Sequence, residues 1–304
     1  MSNEHLEFAR FLIRRGADPH YESKTRTSPV SIAWGKLLSR TSKSPAALQE
    51  LVEELDDSEY LAVRNLSTIH KAVLSLTSIS LDNAIDTFCS NINSRDVDGR
   101  TPLSWAAFRG DFRCVRKLLL NGACTDIPAR DGSTPLHMAA WTGSLPCLKI
   151  LIRHMSNFGY EDRCGNTALH YTCKTESYTQ GHLRSVKYLL ESGAQVDAED
   201  ITGKTLRVCI ESSNVEIALL LLKRGANINA YTNDGMTVFL AAVFYNRREF
   251  LQLLIKKGAF GDTGVKSASA TLKAITQSDA ETRNILRMLL DPAIYRSLLN
   301  HAQE

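Results

Sequence analysis

Three threonines, Thr101, Thr134 and Thr167, follow one another at a constant interval of 33 residues. Each sits in a copy of one phrase. The copies read Asp98-Gly99-Arg100-Thr101-Pro102-Leu103-Ser104-Trp105-Ala106-Ala107, then Asp131-Gly132-Ser133-Thr134-Pro135-Leu136-His137-Met138-Ala139-Ala140, then Gly165-Asn166-Thr167-Ala168-Leu169-His170. A fixed period of this length is the mark of a stacked repeat array, in which each unit covers the apolar face of the next. The 304-residue length alone suggests two domains. An array overrides that, because it lengthens by adding units to one continuous core.

The phrase carries its own local physics. Threonine offers a side-chain oxygen to the free N–H groups at a helix start, and proline follows where its missing N–H is not needed. Paired alanines let helices approach closely. A leucine-rich second helix closes at Gly122, Gly193, Gly225 and Gly258, residues suited to a left-handed helix end. From three of these glycines to the next threonine is a constant gap that accommodates a short hairpin, with Gly132, Gly203 and Gly235 in its turn.

Aligned on the threonine, the register runs Ser28, Ser67, Thr101, Thr134, Thr167, Thr205, Thr237 and Ala270, with weak copies at both ends. Two insertions break it. One falls at 175–182, read as a loop between the two helices of its unit. The other lies between Ser28 and Ser67, near 39–44 or in the acidic stretch at 53–57. Leu6 to Asp18 reads as a second helix with no first helix before it, so it either caps the stack or belongs to a longer array. Pro292 and the helix expected over 293–299 read as a closing cap.

The chain resembles the ankyrin repeat family, whose signature is a Gly-x-Thr-Pro-Leu-His-x-Ala-Ala phrase at this period. The Gly99-Arg100-Thr101-Pro102-Leu103-Ser104-Trp105-Ala106-Ala107 wording is similar to long ankyrin tracts of filamentous-fungal proteins. The resemblance implies an all-α solenoid of about eight units with short β-hairpin fingers. The expected organisation is a single domain over 1–304, with degenerate units at 1–66, core repeats at 67–262 and a capping unit at 263–304. It also implies that His70, His137 and His170, at one motif position, tie neighbouring repeats together by hydrogen bonds. Lined up one repeat apart, they do not converge as metal ligands must.

Composition narrows the function. A net charge of +3 is too mild for a nucleic-acid face. No run of eighteen apolar residues exists for a membrane span, and the N-terminus has no secretory pattern. Seven cysteines without a Cys-x-x-Cys spacing fit a reducing compartment, cytoplasmic or nuclear. The finger glycines lack the phosphate-loop lysine, the acidic run lacks calcium-loop spacing, and no cofactor is expected.

In the family, residues beside the finger glycine and just after the alanine pair point into a groove. Carried over, the finger residues include Arg100, Arg130, Arg163 and Asn166. The post-alanine residues are Phe108-Arg109, Trp141, Lys174, Ser212-Ser213 and Phe244-Tyr245. Aromatics and arginines together have the composition of an interface hot spot, and Phe108 and Trp141 are expected to form one aromatic and cationic surface. The expected function is a non-catalytic scaffold or adaptor holding a segment or loop of another protein, or a small polar ligand. The alternative is an enzyme with its site near the 175–182 insertion, around Arg130, Arg163, Cys164 and His182. Stability should be weakest between Ser28 and Ser67, where the copies are poorest. Hydrogen exchange is expected to find that stretch least protected; finding it the most protected removes the expectation.

Overall fold

The computed structural model describes residues 64–155, 158–174, 179–201, 203–230, 235–259 and 274–289. The expectations for 1–63, including the weak spot after Ser28, and for the closing helix at 293–299 lie outside these residues. The described chain is a succession of antiparallel helix pairs: α1 (Thr68–Leu74) and α2 (Leu81–Phe88), α3 (Pro102–Phe108) and α4 (Phe112–Leu120), α5 (Pro135–Trp141) and α6 (Leu145–His154), α7 (Ala168–Cys173) and α8 (Gln180–Glu191). The hairpin β1 (Glu199–Asp200) and β2 (Gly203–Lys204) follows, its strands antiparallel with Glu199 opposite Lys204. Then come α9 (Thr205–Glu211) and α10 (Val215–Lys223), α11 (Val238–Phe244) and α12 (Arg248–Lys256), and α13 (Ala280–Leu289). The fold is an all-α repeat. Its contacts divide it into two compact units, Met1–Pro135 and Leu136–Glu304.

The motif residues do what their chemistry suggests. The Thr101 hydroxyl accepts the Ser104 N–H at 3.2 Å ahead of Pro102, and Thr237 caps α11 the same way. Four second helices close through left-handed glycines, Gly122, Gly193, Gly225 and Gly258. In each the following alanine N–H reaches back 3.0 Å to a leucine carbonyl of the last turn. In the first unit the core includes Leu118 of a second helix and Leu103 of a first; in the second unit it includes Leu151, Leu189, Leu221 and Leu254 of the second helices and Leu136 and Leu169 of the first, all buried. Each such leucine contributes about 2 kcal/mol by leaving water.

Fingers pair through single backbone bonds between repeats: Val97 N–H to Arg64 O, Arg130 N–H to Asp98 O and Ile201 N–H to Cys164 O, at 2.7 to 2.9 Å. Gly99 is required twice over. Its φ is +77°, and a Cβ there would sit 3.0 Å from the Arg130 backbone nitrogen of the next finger.

Histidines join the repeats. His70 Nδ1 accepts the Ser67 N–H at 3.2 Å, closing the cap of α1, while Nε2 lies 3.0 Å from the Arg100 carbonyl of the next repeat. Because Nδ1 accepts, the proton is on Nε2, which donates. His137 Nε2 makes the equivalent bond to Asn166 O at 3.0 Å. His170 builds the same cap with Thr167, yet its Nε2 finds no partner in good geometry.

Two register expectations are corrected. The turn between paired helices has positive φ nine residues after the threonine at Gly110, Gly143 and Asn246, but eight after Thr205, at Ser213. One residue is missing ahead of that turn. Thr205 is therefore the first residue of α9 rather than its cap, and donates to Ala198 O at 3.3 Å. The post-alanine site expected at Ser212-Ser213 falls on Glu211-Ser212. In the Thr167 repeat the extra residues are only partly loop. α8 starts at Gln180 and has 12 residues against 9 in α4, so Gln180, Gly181 and His182 are helical.

Burial lowers the pKa of both His70 and His170, against opposing contributions from the Arg100 and Ala198 carbonyls and from Asp96 and Asp200. The folded chain thus refuses protons that the unfolded chain accepts. Stability is full above about pH 6.5 and declines as pH falls below it. Urea titrations at pH 7.5 and 5.5 should show a lower midpoint at the acid end. His137→Ala should cost about 1–3 kcal/mol, since it also strands the buried Asn166 carbonyl; an unchanged midpoint in that variant removes the linking role.

Candidate functional site

Aromatic clusters form on and beside the first helices, one in the first unit and two in the second. In the first unit Asp96, five residues before Thr101, organises the finger. Its Oδ1 accepts the Asp98 and Arg100 N–H groups at 2.9 and 2.8 Å, and its Oδ2 accepts Trp105 Nε1 at 2.9 Å. Trp105 is buried and meets Phe108 edge-on, with ring centres 5.8 Å apart. Arg100 lies over both rings, its guanidinium carbon 5.1 Å from the Trp105 centroid and 6.0 Å from that of Phe108. Arg109 Nη1 donates to the Val73 carbonyl at 3.0 Å. Arg130 is exposed, with its backbone N–H on Asp98 O.

The second unit repeats the device. Asp162, again five residues before its threonine, accepts the Cys164 and Asn166 N–H groups at 2.8 Å and the Tyr171 hydroxyl at 2.9 Å. Tyr171 contacts His137 edge-on at 4.9 Å and Trp141 at 6.1 Å. Trp141 remains 40% exposed. Asn166 is buried, its amide nitrogen on both Asp162 oxygens and its oxygen accepting Lys174 Nζ. Lys174 also pairs with the buried carboxylate of Asp200 at 3.1 Å. Arg163 is exposed in the finger turn. Further along, Phe244 and Tyr245 stack edge-on at 4.9 Å, and the Tyr245 hydroxyl reaches Glu211 at 3.2 Å. Burial, then the Glu211 charge, push the Tyr245 pKa up.

The ten expected residues thus differ in what they offer. Trp141, Arg130 and Arg163 present exposed side chains, and Arg100 and Phe108 are half-buried. Asn166 and Lys174 are committed to one internal network. Phe108 and Trp141 fall in separate units, each with its own neighbours. A cleft of about 270 Å³ lies beside the start of α7, lined by Phe158, Glu161, Leu189 and Gln195 among others, and by none of the ten.

His182 occupies a place that the repeat register does not assign. Thr179 N–H donates to its Nδ1 at 3.1 Å, closing a cap at the start of α8, and its Nε2 donates to Trp141 O at 3.0 Å. That carbonyl is one of the orphans at the end of α5. The clasp is tight: a Cβ at Gly143 would lie 2.8 Å from the His182 ring. The Ser/Thr-x-x-His spacing of Thr179–His182, shared with Ser67–His70 and Thr167–His170, is the signal that finds it. The finger aspartates are equally legible in hindsight, since Asp96 and Asp162 stand two periods apart.

The enzymatic alternative placed chemistry around Cys164 and His182. Both ring nitrogens of His182 are occupied by these structural bonds. Cys164 is exposed in a finger turn, while Cys173 and Cys209 are buried, and burial followed by the Cys173 contact pushes the Cys209 thiol well up. Among the described residues no group of three or more His, Cys, Asp or Glu could hold a metal ion. Residues 175–178 of the insertion lie outside those described.

Paired helices linked by finger-to-finger backbone bonds and by histidine-to-carbonyl bonds define a helical repeat. The family model for ankyrin repeats matches three times, at 44–162, 104–200 and 143–232, more than half of the chain. The chain belongs to the ankyrin-repeat family, whose repeats are generally protein–protein interaction modules. It is 38% identical over 88 residues to the mouse "Protein fem-1 homolog A-like", covering 29% of this chain and 13% of that protein. It is 26% identical over 120 residues to a Caenorhabditis elegans "Transient receptor potential cation channel subfamily A member 1 homolog", covering 39% of this chain and 10% of that one. Against the mouse "B-cell lymphoma 3 protein homolog" the figures are 29% over 109 residues, 35% and 24%. The chain therefore spans no more than about a quarter of these relatives' lengths. No helix among the described residues is long and apolar enough to cross a membrane.

The Asp162 carboxyl is pushed up by burial, but the hydrogen bonds from Asn166, Cys164 and Tyr171 outweigh this and hold its pKa below the ordinary value. Its contribution is full above the unfolded value near pH 4 and is lost as pH falls through the folded one. Asp162→Asn should therefore flatten the acid limb of the stability curve below about pH 4. An acid limb identical to the parent's overturns the assignment.

Proposed function

We propose that this chain is a non-catalytic scaffold or adaptor, one array over 1–304, that holds an extended segment or loop of another protein on its finger and first-helix residues. The observation that carries the reading is Trp141. A large indole stays 40% exposed while its neighbour Tyr171 is fixed from behind by Asp162. Exposed, pre-positioned aromatic surface is the raw material of interface hot spots. Family membership supports the same class. An intracellular location is supported by the seven cysteines, all of them free. The modest net charge argues against nucleic acid as the partner.

Peptides selected on the full chain provide the test. Trp141→Ala and Arg130→Ala should each weaken the best binders by about 1 kcal/mol or more without changing the fold. Arg116→Ala and Lys149→Ala, on exposed second-helix positions, should have little effect. Lys149 rests 5.5 Å from the Tyr188 ring, so its loss registers in stability rather than binding. Binding that tolerates the first pair and fails with the second overturns the reading; a chemical turnover abolished by the first pair puts the enzyme in its place.

A further inference from the structure

The half-buried cations of the fingers and first helices are mostly tied to oxygen acceptors. Arg64 pairs with Asp98 at 2.8 Å, Lys174 with Asp200 at 3.1 Å and Arg207 with Glu211 at 2.8 Å. Arg109 donates to the Val73 carbonyl and Arg247 to the Ile210 and Glu211 carbonyls. Arg95, which is exposed, likewise donates to Gly99 O and Pro128 O. Arg100 shares with Arg109 and Arg207 a buried Nε that has no hydrogen-bond partner. It differs from them in that no carbonyl or carboxylate among the described residues accepts from its other guanidinium nitrogens either, as Val73 O does from Arg109 and Glu211 from Arg207. Among the described residues its side-chain contacts are with the Trp105 and Phe108 rings. Those rings are fixed in turn, Trp105 by its bond to Asp96 and Phe108 edge-on against Trp105.

A guanidinium with unused donors, partly out of water, bears a desolvation cost that ring contacts only partly offset. A carboxylate meets that deficit best, because it accepts two parallel N–H bonds from the planar fork. The local charge fits a monoanion. The 95–100 finger carries Arg95 and Arg100 with Asp96 and Asp98, and Arg64 pairs with Asp98, so three cations stand with two carboxylates, which leaves one positive charge.

We propose that Arg100, laid on Trp105 and Phe108, is the anchor for a partner's carboxylate: an aspartate or glutamate side chain next to an apolar residue that covers Phe108. This rests on the scaffold reading and gives the partner segment its chemistry. The site is built before binding, since the rings hold the guanidinium in place with its donors unused, so little ordering is needed when the carboxylate arrives.

The test uses seven-residue peptides selected by display on the full chain and then synthesised. The binders are expected to share an acidic residue. Replacing that residue by its amide, or making Arg100→Gln, should each weaken binding about tenfold, and both together no more than either alone. Arg100→Lys keeps the charge but not the fork and should fall between, with melting temperatures confirming that each variant folds. Peptides that depend on Trp141 but carry no acid and ignore Arg100→Gln overturn the anchor and leave the scaffold standing. A chain that selects no peptide overturns both. Inorganic phosphate displacing the peptide at concentrations where acetate does not would assign the site to a phosphoryl group and overturn the carboxylate.

Discussion

The bond on which the repeats depend runs from a neutral histidine to a carbonyl outside its own repeat. It works only in one tautomer. Nδ1 accepts the backbone N–H at its own helix start, so Nε2 carries the proton and donates outward, to Arg100 O from His70 and to Trp141 O from His182. One ring thus satisfies a cap and a neighbouring repeat's carbonyl, two groups that burial would otherwise leave unpaired. Protonation would place an N–H against an N–H on the cap side. Burial of His70 and His170, which lowers their pKa, is therefore consistent with the geometry that couples the units.

On that frame the finger aspartates decide what the first helices display. Asp96 and Asp162 each spend one oxygen on the N–H groups of their own turn and the other on an aromatic donor nine residues on, the Trp105 indole or the Tyr171 hydroxyl. The finger and the helix face are locked together by one carboxylate. Neighbouring aromatics are then left at intermediate or high exposure, Phe108 in one unit and Trp141 in the other. Trp105 and Tyr171 are thus each tied to a finger carboxylate, beside the aromatics that stay accessible.

The repeat, its glycine ends, the caps at Thr101 and Thr237 and the links from His70 and His137 are legible because each rests on a local rule read at fixed spacing. What escaped was the effect of single-residue slips. Thr205 keeps its distance from Gly193, so the register looked intact, yet α9 begins on it and the positive φ moves to Ser213. On spacing alone His182 reads as part of a loop, because five extra residues precede the next threonine; three of them lengthen α8 instead of the loop. Asn166 was expected at the surface because it flanks a finger glycine. Its amide can bond twice to Asp162 and once to Lys174, and a side chain with that many partners folds inward.

Position in a repeat therefore says which side chains face the same way, and hydrogen-bond accounting says which of them are left to act. Lys174 occupies the register position of Trp141, one repeat on, and carries a charge that suits a ligand. Asp200 and Asn166 already take it. Arg100 sits beside two carboxylates of its own finger and is taken by neither: Asp96 is committed to the Asp98 and Arg100 N–H groups and the Trp105 indole, and Asp98 to Arg64. Among the described residues, the pairing that stabilises the finger also leaves the Arg100 guanidinium without a carboxylate, lying over the Trp105 and Phe108 rings.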